Sequence, residues 1–127
     1  MPAILIIAHA PLASSLRAVA QHVYPDCSRN LAALDVDEGA SPEGVEMQAR
    51  DVLRGLGGGD ALVLADVYGA TPANIGRRLC HAERVSGVAG VNLPMLLRVV
   101  CSPNKPLQEM ADLAVEGGRE CIVHMEH

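Results

Sequence analysis

An uninterrupted apolar run, Ala3-Ile4-Leu5-Ile6-Ile7-Ala8, drives straight into His9, and it restricts the fold more than any other stretch. A β-branched run of this length, with no polar residue in alternation, reads as a strand buried on both faces. Such a strand needs helices above and below it, which predicts a layered α/β sheet with this strand near the centre. His9 then stands at the carboxyl end of the strand, the rim where open α/β sheets bind ligands.

The rest of the chain fits that plan. Leu12, Leu16, Val19, Ala20 and Val23 make a one-sided helical stripe, ended by Pro25-Asp26. Leu31–Val36 reads as a second strand, more mixed and therefore an edge. Ser41-Pro42 opens a helix as N-cap and first-turn proline, and Gly57-Gly58-Gly59 stops it. Ala61–Ala65 is a third strand, apolar throughout, which delivers Asp66. Thr71-Pro72 repeats the cap-and-proline signal for a helix reaching to about His81. A short fourth strand over 85–91 delivers Asn92, and a helix follows from Met95 to Cys101. Leu107, Met110, Ala111 and Ala114 form a fifth stripe, closed by Gly117-Gly118, before a last short strand at Cys121–Met125. Strands alternating with helices predict a doubly wound, mostly parallel sheet with helices on both faces, in a single domain over 1–127.

Half of the residues are hydrophobic, yet Trp and Phe are absent, so the core must be aliphatic. The net charge of −5 disfavours nucleic acid and anionic membrane as partners and favours a basic protein. The four cysteines are widely spaced with no C-x-x-C, and there is neither a basic leader nor an apolar stretch of bilayer length. The expectation is a cytoplasmic protein with reduced thiols and no membrane insertion.

Two apolar strands thus end in lone polar groups, His9 and Asp66. If the strands are neighbours, those ends lie roughly 5 Å apart. A carboxylate that accepts from one imidazole nitrogen fixes the tautomer and leaves the other nitrogen a lone pair. It also stabilises the imidazolium-like charge that grows when that nitrogen attacks an electrophile. Such a pair suits nucleophilic attack or metal ligation. Its surroundings favour the first. Gly69-Ala70-Thr71-Pro72 opens a helix directly after Asp66, and free N–H groups there favour a phosphate-like anion. The Thr71 hydroxyl either caps that helix or donates to the anion. Ser14 and Ser15 sit in the first turns of the helix beside His9. No second His, Cys or carboxylate is spaced to complete a metal site at this rim. His124 and His127, with Glu126, read as a surface tail; joined to His9 and Asp66 they define a weaker reading as a metal-dependent hydrolase. His22 and His81 fall on solvent-facing helix positions. Arg77-Arg78 is a solvated face or a docking surface, and Asn92-Leu93-Pro94-Met95 is a turn with a core methionine on the same rim.

Taken in order, these residues resemble the enzyme IIA component of the mannose family of the sugar phosphotransferase system (PTS). The resemblance is carried by a His after the first strand, D-V-Y-G-A-T-P-A-N at 66–74, G-V-N-L-P-M-L at 90–96 and A-V-E-G-G-R-E at 114–120. It implies strand order 2-1-3-4 and a homodimer that exchanges an antiparallel final strand. It implies that His9 accepts a phosphoryl group from the phosphorylated histidine of the carrier protein HPr and passes it to a IIB component. Asp66 matches the orienting carboxylate, and Gly69, Ala70 and Thr71 match the phosphate-binding turn. No cofactor or metal is implied, and any membrane association is docking to a permease complex. The same resemblance admits a phospho-dependent regulatory module of an incomplete system, or the phosphoryl-donor subunit of a dihydroxyacetone kinase, since no linker or IIB domain follows. Two positions depart from the pattern. Ala10 and Ala70 stand where the family has Gly, adding methyl groups near the phosphate and restricting the backbone.

Overall fold

The computed structural model describes residues 2–81 and 84–126. The elements run β1 (Ala3–His9), α1 (Leu12–Val23), β2 (Leu31–Val36), α2 (Pro42–Gly55), β3 (Ala61–Ala65), α3 (Thr71–Leu79), β4 (Val85–Ala89), α4 (Leu93–Val100) and α5 (Leu107–Glu120). The four strands form one parallel sheet in the order β2-β1-β3-β4.

The apolar run at the amino terminus is now explained by position. Strand side chains alternate between faces. Ile4, Ile6 and Ala8 point into one cluster with Ala13 and Ala20 of α1, Leu96 and Val99 of α4, and Met110 of α5. Leu5 and Ile7 point the other way, among Val45 and Ala49 of α2 and Ile75 and Leu79 of α3. Both faces of β1 and β3 are therefore buried, and neither strand tolerates a polar residue until it leaves the sheet.

The structure departs from the sequence reading at the ends of elements. The Gly117-Gly118 pair does not stop α5, which continues to Glu120. The glycines serve packing instead. A Cβ on Gly118 would sit 2.8 Å from Met95 Cε, and one on Gly117 would sit 2.9 Å from Arg98 Cδ. They let α5 approach α4 closely. Gly118→Ala sets a better helix former, worth about 1 kcal/mol, against overpacking of about 1–3 kcal/mol. Because Met95 is itself buried, the clash is expected to win, and the urea midpoint should fall. A raised midpoint would contradict the close-approach account. Helix α3 ends at Leu79, short of His81. Residues 122–126, expected as a last strand, pair with no strand among the described residues; Ile122, Val123 and Met125 are exposed.

Candidate functional site

Ile7 is paired with Ala65, so β1 and β3 end side by side and release His9 and Asp66 at adjacent strand ends. There the chain diverges. Helix α1 packs on one face on its way to β2, and α3 packs on the other on its way to β4. This is the switch point of a doubly wound sheet, where the two departing loops leave a crevice.

Asp66 closes the parallel ladder with its side chain. The His9 backbone N–H donates to Asp66 Oδ2 at 3.0 Å, where the next strand carbonyl would otherwise accept. The His9 ring Nδ1 lies 2.7 Å from the same oxygen. Asp66 Oδ1 accepts from the Val67 N–H at 2.8 Å. The carboxylate is 8% exposed and the imidazole 57%, so a buried acceptor holds an exposed ring. Burial alone pushes the Asp66 pKa up, but the hydrogen bonds from the His9 backbone, the His9 ring and the Val67 N–H outweigh it and hold the carboxyl below its ordinary value. An ionised carboxylate can only accept. The neutral ring therefore keeps its proton on Nδ1 and turns a lone pair on Nε2 outward.

Thr71 shares a cleft of about 410 Å³ with His9, Ala10, Asp37 and Glu38. The sequence signal placed Thr71 as the cap of α3, whereas the structure puts Ala70 there, with no side-chain cap at all. The other proline-led helices are capped: Ser41 accepts from Gly44 in α2, and Asn92 accepts from Met95 in α4. At α3 the first-turn amides and the Thr71 hydroxyl remain for an outside acceptor. The start of α1 offers no such opening. Asp35 of β2 takes both the Ser14 N–H (3.0 Å) and the Ser14 hydroxyl (2.6 Å), and the Ser15 hydroxyl bonds the Pro11 carbonyl. Ser14 and Ser15 thus lie near His9 but are committed elsewhere. Sequence reasoning missed Asp35, Asp37 and Glu38. Their signal is faint, an acidic cluster at the end of a half-buried strand.

The two departures from glycine are benign in the backbone. Among the described residues no non-glycine has positive φ, so Ala10 is unstrained, and Ala70 is extended at φ −86° and ψ 167°. The left-handed positions in and beside the cleft are both glycines, Gly69 at φ +91° and Gly39 at φ +82°. The Ala10–Pro11 peptide is cis.

The remaining candidates fall outside the cleft. Asn92 is a structural clamp, accepting from Met95 N–H and donating to the Gly118 carbonyl at 3.1 Å. Arg77 lies over the Tyr68 ring, 6.0 Å from its centroid, and Arg78 pairs with Glu46 of α2. His22 and His81 are exposed. His124 sits in the exposed tail, and His127 lies outside the described residues. No group of three His, Cys, Asp or Glu side chains able to hold a metal occurs among the described residues. No helix among them is long and apolar enough to cross a membrane.

A parallel 2-1-3-4 sheet with a His–Asp pair at its switch point and a helix start without a side-chain cap beside it defines a doubly wound α/β domain with a polar site at the carboxyl rim of its sheet. The family comparison makes the assignment specific. Residues 3–114 match the family model EIIA-man, described as the PTS system fructose IIA component, and the chain belongs to that family. Solved structures agree in fold. The mannose/sorbose-specific IIA subunit of the phosphotransferase system from Enterococcus faecalis superposes with a TM-score of 0.90 at 23% identity, covering 99% of this chain and 96% of its own. The phosphotransferase system component EIIA from Streptococcus agalactiae gives 0.87 at 22% identity, covering 98% and 97%. The PTS IIA protein associated with the fucose utilization operon of Streptococcus pneumoniae gives 0.75 at 23% identity, covering 91% and 89%. No curated protein sequence matches the chain.

Proposed function

We propose that this IIA-family chain is a histidine phosphocarrier, in which His9 accepts a phosphoryl group from phospho-HPr and passes it to a IIB component. The observation that carries this reading is the 2.7 Å contact between His9 Nδ1 and the buried Asp66 carboxylate, which leaves Nε2 as the free nucleophile at the mouth of the cleft. On loading, Nε2 attacks phosphorus as the N–P bond to the HPr histidine breaks on the far side; on unloading, the IIB acceptor attacks phosphorus in line and the Nε2–P bond breaks, returning the lone pair to Nε2. Asp66 holds the Nδ1 proton and offsets the positive charge that develops on the ring. The Thr71 hydroxyl, with the N–H groups of Gly69, Thr71 and Ala73, receives the phosphoryl oxygens; the Ala70 N–H is taken by the Val67 carbonyl and Pro72 has none. Asp37 and Glu38 line the same cleft, and their charge favours a basic partner surface over an acidic one.

The test is incubation with phosphoenolpyruvate, enzyme I and HPr, followed by intact mass. The wild-type chain should gain one phosphoryl group and His9→Ala none. Mass gain by the His9→Ala chain would overturn the assignment.

The reading includes a homodimer in which each carboxyl-terminal tail adds an antiparallel strand to β4 of the other subunit. Two features support it. Strand β4 is an open edge, and the exposed tail carries Ile122, Val123 and Met125. An open apolar edge and an unpaired apolar segment satisfy one another. Truncation after Cys121 is expected to convert a dimer into a monomer by light scattering; a truncated chain that stays dimeric would place the interface elsewhere.

A further inference from the structure

Strand β4 is an edge with a cavity on each of its faces. One, of about 330 Å³, lies on the α3 side, walled by Ala73, Gly76 and Cys80. The other, of about 420 Å³, lies on the α4/α5 side, walled by Met95, Val115 and Gly118. A further strand laid beside β4 would send alternate side chains into the two cavities. Tyr68 is the one residue outside β4 that lines both of them.

Tyr68 stands in the loop that joins Asp66 to the Gly69–Thr71 turn. The restraints on that loop are polar. The Val67 N–H donates to Asp66 Oδ1 at 2.8 Å, the Ala70 N–H to the Val67 carbonyl at 3.2 Å, and the Asn74 side-chain amide to the Gly69 carbonyl at 3.4 Å. Apolar packing adds little, since Val67 is 57% and Tyr68 74% exposed. The Tyr68 ring has the Arg77 guanidinium 6.0 Å from its centroid. Between two core-anchored ends the chain thus carries a mobile-ring Tyr followed by Gly69, a residue of wide conformational freedom at φ +91°.

We propose that the tail of a second copy, inserted beside β4, packs against Tyr68 and holds the Gly69–Thr71 turn in the conformation that receives the phosphoryl oxygens, so that His9 is loaded fast in the dimer and slowly in the monomer. This rests on the phosphocarrier and tail-exchange readings above and makes the first depend on the second. The occupant fits the site. Val123 and Met125 stand two residues apart in the tail, so a strand places both in one cavity, and both are exposed in the single chain. The unpaired edge of β4 supplies main-chain hydrogen bonds to the same strand. Tyr68 is then a positioning residue, which acts on the phosphoryl group through Gly69 and Thr71. The phosphate-receiving turn of one subunit is complete when the other subunit covers Tyr68.

The test loads the full chain with phosphoramidate, a donor too small to need a docking surface: Nε2 takes the phosphoryl group and ammonia leaves. The tryptic peptide 1–17 holds His9 as its sole histidine, so its phosphorylation gives the rate, and light scattering gives the oligomeric state. The Val123→Asp/Met125→Asp chain is expected to be monomeric and to load roughly 10-fold more slowly. Tyr68→Ala should load as slowly, and Tyr68→Phe should restore the wild-type rate. Adding Tyr68→Ala to the tail substitutions should slow loading no further, because both remove one contact. A monomeric tail variant that loads at the wild-type rate, or effects that multiply in the combined chain, would overturn the coupling while leaving the dimer standing. A tail variant that stays dimeric would overturn the tail exchange, and a wild-type chain loaded by neither phosphoramidate nor phospho-HPr would overturn the phosphocarrier reading; the coupling falls with either.

Discussion

Asp66→Asn is expected to slow phosphoryl transfer to His9 by about 10²–10⁴-fold while leaving the fold intact. The reason lies in the three hydrogen bonds that Asp66 accepts: two from His9 on Oδ2 and one from the Val67 N–H on Oδ1. An amide has only one accepting end. If its oxygen faces Val67, its NH₂ faces the ring and stabilises the tautomer protonated on Nε2, which destroys the nucleophile. If its oxygen faces His9, the Val67 N–H meets a donor and the loop bearing Gly69 and Thr71 shifts. Stopped transfer from phospho-HPr, measured beside an unchanged circular dichroism spectrum, checks this; an unaltered rate would remove Asp66 from the mechanism. The same contacts set the pH dependence. The folded pKa of Asp66 is depressed, so its contribution is present above the ordinary carboxylate value of about 4 and is lost as pH falls through the lower folded value. The ring orientation should therefore hold across the neutral range and fail only in acid, which a carboxyl-carbon NMR titration would follow.

Ile6→Ala is the second large effect, and it acts on stability rather than chemistry. Ile6 is fully buried at the centre of β1, in a core without Phe or Trp. Truncating such a side chain costs about 2–5 kcal/mol in transfer and cavity terms. Domains of this size hold about 5–15 kcal/mol in total, so the urea midpoint should drop steeply. Transfer per folded molecule should be unchanged, because Ile6 points into the α1/α4/α5 layer and touches no group of the cleft. A fall in transfer per folded molecule would show that scaffold and site are not separable in this way.

Much of the fold was legible because burial on both faces writes itself into a strand as an unbroken apolar run. Strands β1 and β3 are the clearest cases, and the polar residue that ends each marks the rim. The cap-and-proline signals placed α2 and α3 to within a residue or two. What failed were places where a residue type has two physical uses. Gly117-Gly118 looks like a helix stop, but a glycine can also admit a neighbouring helix, and only the position of Met95 decides between them. Thr71 looks like a cap, but the turn at Gly69 puts Ala70 in the capping position and leaves the hydroxyl unused. The His–Asp pairing was readable from two strand ends. Asp35, Asp37 and Glu38 were not, since a carboxylate beside a site and a carboxylate in solvent look alike until the fold brings them together. The concern over Ala10 and Ala70 dissolved for the same reason: a methyl group strains the backbone where φ is positive, and at this rim those positions are Gly39 and Gly69 rather than Ala10 or Ala70.

The central claim is that His9 reacts through Nε2 because Asp66 holds Nδ1. The direct measurement is a long-range ¹H–¹⁵N correlation spectrum of the His9 ring before and after phosphorylation by phosphoenolpyruvate, enzyme I and HPr. The account predicts a neutral ring protonated on Nδ1 before the reaction and phosphorus bonded to Nε2 after it. Phosphorus on Nδ1, or a ring that stays unmodified while another histidine takes the phosphoryl group, would contradict it.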